Sequence, residues 1–167
     1  MAYVTNGALG VDLEKHPTRL SDGCNFAEFP LGMRVQASDN QVYVYVKASA
    51  AITQYDVVGI DEDYNAAPIT HAMAKAGYQI GAAQVAFSSG QYGWVAVSGS
   101  NISGYVLGSC GPDKALFTTS TAGKLDDACS VSGQRLDGVV TVASNTTAAC
   151  AAKELMFAIG GAHAENI

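Results

Sequence analysis

The chain has 167 residues, 49% of them apolar and only 14% charged, with 18 glycines and a formal net charge of −6. That length suits one domain, and a chain this size buries roughly 70% of its unfolded surface, enough for a core without staples. Nine Lys and Arg with no basic run argue against a phosphate-binding or anionic-membrane surface, and no apolar run approaches the ~20 residues that span a bilayer.

Residues 1–40 hold no helical or strand period for long. Leu9, Val11 and Leu13 alternate briefly, and Phe26, Phe29 and Leu31 form an isolated apolar cluster. An irregular stretch of this length is unusual inside a compact domain. It reads as an N-terminal arm, residues 1–40, ahead of a β-rich domain, residues 41–167. The arm either becomes ordered against a neighbouring chain or wraps its own domain. On the first alternative, deleting residues 1–32 leaves the β-domain folded and weakens association.

Residues 41–47, QVYVYVK, are the clearest strand. Val42, Val44 and Val46 share the face expected on the core, and Tyr43 and Tyr45 share a half-polar face open to solvent or a partner. Residues 55–61 supply a second strand, an acidic turn follows, and a return strand begins at Asn65 with Pro68 at an edge or bulge. Residues 71–76 fit either a loop or one helical turn. Residues 83–99, AQVAFSSGQYGWVAVSG, read as a hairpin around a turn at residues 88–91, with Trp94, the only tryptophan, anchoring a core or a subunit contact. Further strands are expected at 104–107, 115–119, 135–142 and 153–159, with a loop or helical turns at 146–152. About eight short antiparallel strands at ten-residue spacing predict a mainly β fold, a small barrel or sandwich. No internal repeat is visible.

The residues give no convincing reactive centre, and the chain is expected not to be an enzyme. His16, His71 and His163 lack metal-ligand spacing, and each reads as a surface or loop histidine. Asp61-Glu62-Asp63 lacks the staggered ligands of a calcium loop, and Asp126-Asp127 reads the same way. No nucleophile elbow or phosphate-cradling glycine loop is present, and neither cofactor nor metal is expected. Cys24, Cys110, Cys129 and Cys150 are scattered, without a C-x-x-C pair, and read as buried free thiols. Residues 1–17 lack a basic n-region followed by an apolar h-region, so the protein is expected to fold in a cytosol. The sequons at Asn101 and Asn145 carry little meaning there.

The run LGMRVQASDNQVYVYVKASAAITQYDVVGIDEDYNAAPIT, residues 31–70, and the 83–99 stretch resemble small structural proteins of tailed bacteriophages. A glycine-led entry, YVYVKASAAI, the DVVGID strand and YGWV carry the likeness, which points to capsid decoration, or cement, proteins. The resemblance covers about residues 31–99. It implies a virion structural protein that binds the outside of the phage head as a homo-oligomer, a trimer being expected. Its partner is the major capsid protein, and by bridging coat subunits it stabilises the capsid without turnover, with no nucleic-acid or membrane partner. Such a protein is made in the host cytoplasm and resides on the outer capsid surface. The candidate protein contacts are Phe26, Phe29, Leu31, Tyr43, Tyr45 and Trp94. Another virion component (a head-fibre base or tail protein) fits the same fold signals. So does a small ligand-binding β-barrel lined by Tyr43, Tyr45, Tyr92 and Trp94.

Overall fold

A strand that alternates Val and Tyr must bury two faces, and the structure finds a separate cover for each. A computed structural model describes residues 10–17 and 23–144, together with the backbone of 151–157. Ten strands and one short helix follow in order: β1 (Arg34–Gln36), β2 (Val42–Ala48), β3 (Val57–Ile60), β4 (Asn65–Pro68), α1 (His71–Lys75), β5 (Gln79–Ala82), β6 (Tyr92–Val106), β7 (Ala115–Thr118), β8 (Leu125–Asp126), β9 (Arg135–Thr141) and β10 (Ala151–Phe157). The expected mainly β barrel is present. Strands β2, β4, β3, β5 and β6 hydrogen-bond in that order, and β6 returns to β2, closing a five-stranded barrel. Val44, Val46, Ile52, Val58, Ile60 and Phe87 fill its interior.

The remaining strands repeat this wiring. β6 pairs in turn with β10, β10 with β9, β9 with β7, β7 with β8, and β8 with β6 through Val106↔Leu125. Each ring contains one parallel pairing, β2 with β4 and β6 with β8, so the expectation of uniformly antiparallel strands is corrected. Equivalent backbone bonds recur 58 residues apart. Tyr55 N donates to Ala83 O at 2.7 Å and Asp113 N to Thr141 O at 2.9 Å, and both donors have positive φ, 69° and 53°. Ala83 N donates to Asp56 O at 3.0 Å, and Thr141 N to Lys114 O at 3.2 Å. Interior positions correspond too: buried Ile52 and Val58 in the first ring match buried Cys110 and Leu116 in the second. The fold is therefore an internal duplication sharing one strand. At this offset no residue from 49 to 83 is identical to its counterpart, which is why the sequence displays no repeat.

Sharing requires β6 to be long and bent. Its first half pairs with β2 and its second with β10, so the strand expected separately at 104–107 is the far end of β6. Gly99 sits where β6 leaves the first ring. Its φ is +131°, which strains any other residue, and a Cβ there would lie 3.0 Å from the Gln41 backbone, a tight contact that adds to the preference for glycine. Gln41 is buried at the bend. Its amide donates to the carbonyls of Ser100 and Asn101, both at 3.2 Å, and its Oε1 accepts the Tyr43 hydroxyl at 2.9 Å.

Other expectations change. Residues 83–87 form no strand beyond the bridge Ile52↔Phe87, because β5 has already ended at Ala82. The turn at 88–91 is present, with Gln91 N on Ser88 O and Gly90 at φ +84°. The two-residue β8 was not anticipated. The ambiguous 71–76 stretch is α1, capped by the Thr70 hydroxyl accepting from Met73 N. Pro68 lies where β4 has parted from β2, an edge position. The expected boundary at residue 40 falls inside a hairpin: β1 pairs with β2, and Ala37 N donates to Gln41 O at 2.8 Å. Most of the 146–152 stretch, Cys150, His163 and the Asn145 sequon lie outside the described residues.

Junction of the two rings is a buried ion pair. Lys124 Nζ contacts Asp56 Oδ1, with side-chain exposures of 12% and 5%, and sits 3.3 Å from the Tyr105 ring centroid. Thr53 N donates to the other carboxylate oxygen at 2.9 Å. Backbone bonds cross the same seam, from Val57 N to Gly123 O and from Tyr105 N to Tyr55 O. The two rings are thus welded rather than hinged.

Candidate protein-contact surface

The outward face of β2 and β6 is aromatic, and the N-terminal segment covers it. Tyr45 and Trp94 face each other across the strand pair with ring centroids 4.9 Å apart. Phe29 lies on both at 5.4 Å, edge-on to Tyr45 and tilted against Trp94. The Tyr45 hydroxyl accepts from Glu28 N at 3.1 Å, and Gly32 N donates to Tyr45 O at 2.9 Å. Gly32, at φ +80°, passes so close to Tyr64 that a Cβ would run into the ring.

His16 secures the start of the segment. Its Nδ1 lies 3.1 Å from Tyr92 O and its Nε2 2.8 Å from Ala86 O, while the ring packs on Phe87 at 4.4 Å. It is half-buried and ties residues 10–17 to the barrel, where the sequence suggested a surface or loop histidine.

This geometry divides the six expected contact residues. Tyr43, Tyr45 and Trp94 are 5%, 1% and 1% exposed, so they form core between barrel and segment. The face of Tyr43 and Tyr45, expected to be open to solvent or a partner, is thus covered, and Trp94 takes the core place that was one of its two readings. Nor do they line a ligand pocket, because Phe29 and Met33 pack on the same cluster. Phe29 is half-buried as the wedge that holds the segment down. Phe26 and Leu31, at 36% and 37%, remain outside on either side of it. Of the two alternatives left open for the arm, its described part wraps its own domain. Deleting residues 1–32 would remove Phe29 and with it the cover over Tyr45 and Trp94.

Burial sets the electrostatics of this face. It pushes the Tyr43 hydroxyl up to about 12, with the charges of Asp39 and Glu14 adding to the effect. It also raises the Tyr45 hydroxyl above 10.0, against the lowering effect of the Glu28 N–H. Both phenols stay protonated across the ordinary pH range.

The acidic and thiol side chains have structural roles. Asp61 Oδ1 accepts from Asp63 N and Asn65 N at 3.0 and 2.7 Å, which makes the acidic stretch a hydrogen-bonded turn. Cys110, Asp126 and Asp127 bring donor atoms within 4.8 Å of one another, a cluster the sequence spacing did not reveal. Cys110 is buried, and burial pushes its thiol up to about 11. Its S–H donates to Leu107 O at 3.2 Å, and a retained proton leaves it a poor metal ligand. Asp127 accepts from Gly111 N and Asp126 from Ala128 N, so both carboxylates close turns. Cys24 and Cys129 are exposed, which corrects their reading as buried thiols.

No protein-family model matches the chain, and no curated protein is significantly similar to it.

Proposed function

We propose that the chain is a virion structural protein, a capsid decoration protein that binds the outer surface of a phage head and bridges coat subunits. The observation that carries the reading is the ledge at residues 26–31. Two large apolar side chains, Phe26 and Leu31, stand in solvent on a segment pinned to the barrel by Phe29. Apolar residues held rigidly in water lose little freedom on docking, so their burial is retained as binding free energy. The resemblance of residues 31–70 and 83–99 to phage decoration proteins supplies the partner, the major capsid protein. Symmetry-related copies, expected as a trimer, add avidity to individually weak contacts. Occupancy of the assembled lattice then stabilises it by mass action.

The test is co-sedimentation of purified protein with expanded heads of the parent phage, alongside light scattering for oligomeric state. Phe26→Ser with Leu31→Ser should leave thermal unfolding unchanged and reduce capsid binding by tenfold or more, about 1.4 kcal/mol or greater. Wild-type protein that stays in the supernatant at saturating concentration sinks the proposal.

A further inference from the structure

The duplication exposes a difference between its halves that points to a second binding site. In the first ring, α1 lies over β3. Met73 covers Gly59, where an added Cβ would come within 2.7 Å of the Met73 methyl, and Ala74 is fully buried. In the second ring the counterpart of Gly59 at the 58-residue offset is Phe117, which is partly exposed. The counterpart of α1, residues 129–133, forms no helix and stands in solvent, with Val131 at 108% relative exposure. The first ring keeps a cleft of about 350 Å³ between the β3–β4 turn and the end of α1, and the second has one of about 430 Å³ at the corresponding turn. Both lie within the ~300–1,000 Å³ of small-ligand pockets. Only in the second does an exposed loop stand in place of α1.

The lining specifies the ligand chemistry. His71 Nδ1 lies 2.5 Å from Thr118 Oγ1, which already accepts from Gln134 N at 2.9 Å. The Thr118 hydroxyl has a second lone pair, so it either accepts from Nδ1–H or donates to Nδ1, and Nε2 is a donor or an acceptor according to the tautomer. Asp126 offers a carboxylate, with one oxygen on Ala128 N. Ser120, Ser130 and Ser132 also line the cleft, and none of their hydroxyls bonds another described side chain or backbone group. Among the described residues no Lys or Arg lines it, which disfavours phosphates and carboxylates. Leu107 and Val131 add aliphatic surface.

We propose that this open end of the second ring binds a small neutral polyhydroxylated ligand, a mono- or disaccharide. Asp126 accepts from its hydroxyls, His71 Nε2 hydrogen-bonds one, and the serines adapt to the rest. The site is independent of the virion reading and uses none of its residues.

The experiment is a titration of the isotope-labelled full chain with maltose, lactose and N,N′-diacetylchitobiose, followed by amide chemical shifts. The expected result is saturable shifts confined to His71, residues 119–120 and residues 126–132, with at least one sugar binding in the ~1 mM range. Asp126→Asn keeps an oxygen for Ala128 N and should weaken binding tenfold or more. Ser130→Trp, on the exposed loop, should block the cleft with the fold intact. Absence of shifts with all three sugars overturns the proposal. So do shifts that persist in both variants, or the same shifts produced by ammonium and lysine in place of sugar.

Discussion

Replacing Lys124 by Met removes one charge from the seam between the rings while keeping most of the aliphatic stem that packs on Tyr105. Asp56 is left 95% buried, since its side chain is 5% exposed, with Thr53 N–H its one remaining described donor. Breaking a buried pair from one side costs about 3–5 kcal/mol, because the surviving charge keeps its desolvation penalty without its partner. The Thr53 bond and the 12% exposure of Lys124 place this case near about 3 kcal/mol. With a urea slope of about 2 kcal/mol/M, the unfolding midpoint should fall by roughly 1.5 M. Asp56→Asn combined with Lys124→Met should recover about 2 kcal/mol relative to the sum of the single changes. Both rings share β6, so fluorescence of Trp94 in the first and hydrogen exchange of β7 in the second should report one transition. A Lys124→Met loss below about 0.5 kcal/mol, with no coupling in the cycle, is what an exposed pair gives and refutes the closed seam.

Phe29→Ala should cost about 3 kcal/mol if the wedge holds the segment, and should make residues 10–37 protease-sensitive before the barrel unfolds. Equal protection in mutant and wild type would remove Phe29 from that role. Gly81→Ala places a Cβ 2.7 Å from Val95 Cγ1 and 2.8 Å from the Ala96 carbonyl. It should destabilise by about 2–3 kcal/mol, whereas Gly59→Ala meets only the mobile end of Met73 and should cost under about 1 kcal/mol. Reversal of that order in urea melts would contradict the packing. Tyr43 is raised from 10.0 to about 12 and Cys110 from 9.0 to about 11. The unfolded chain therefore releases these protons first, and stability that is complete below pH 9 should fall through pH 9–12. Tyr43→Phe should flatten the upper part of that decline. Thiol titration at pH 8 should label Cys24 and Cys129 rapidly and Cys110 only on unfolding.

The β class was legible because alternation reports burial on two sides. Val42 to Lys47 follows a period of two that needs no partner to be read, the β9 run is rich in β-formers, and the turn at 88–91 is marked by Ser88, Ser89 and Gly90. What covers each face was not legible. Tyr43 and Tyr45 carry hydroxyls and look suited to water, yet the hydroxyls find Gln41 Oε1 and Glu28 N, and Phe29 closes over the rings. Cys110 and Ile52 fill equivalent interior positions with different side chains, so the duplication survives in hydrogen bonds while no identity marks it. The cleft in the second ring was invisible for the same reason. Its lining comes from α1, the β7–β8 turn and residues 128–132, distant in the chain and brought together by ring closure.

Composition and periodicity alone determined that this chain folds as short strands around an apolar interior, and that its net charge is −6. Those properties are local or additive, and each residue contributes without reference to a distant one. Only the tertiary structure decided that β6 serves two rings, that the N-terminal segment completes the aromatic core, and that Phe26 and Leu31 remain outside. Each of those outcomes is a competition for the same surface between segments far apart in sequence, and packing in three dimensions settles it.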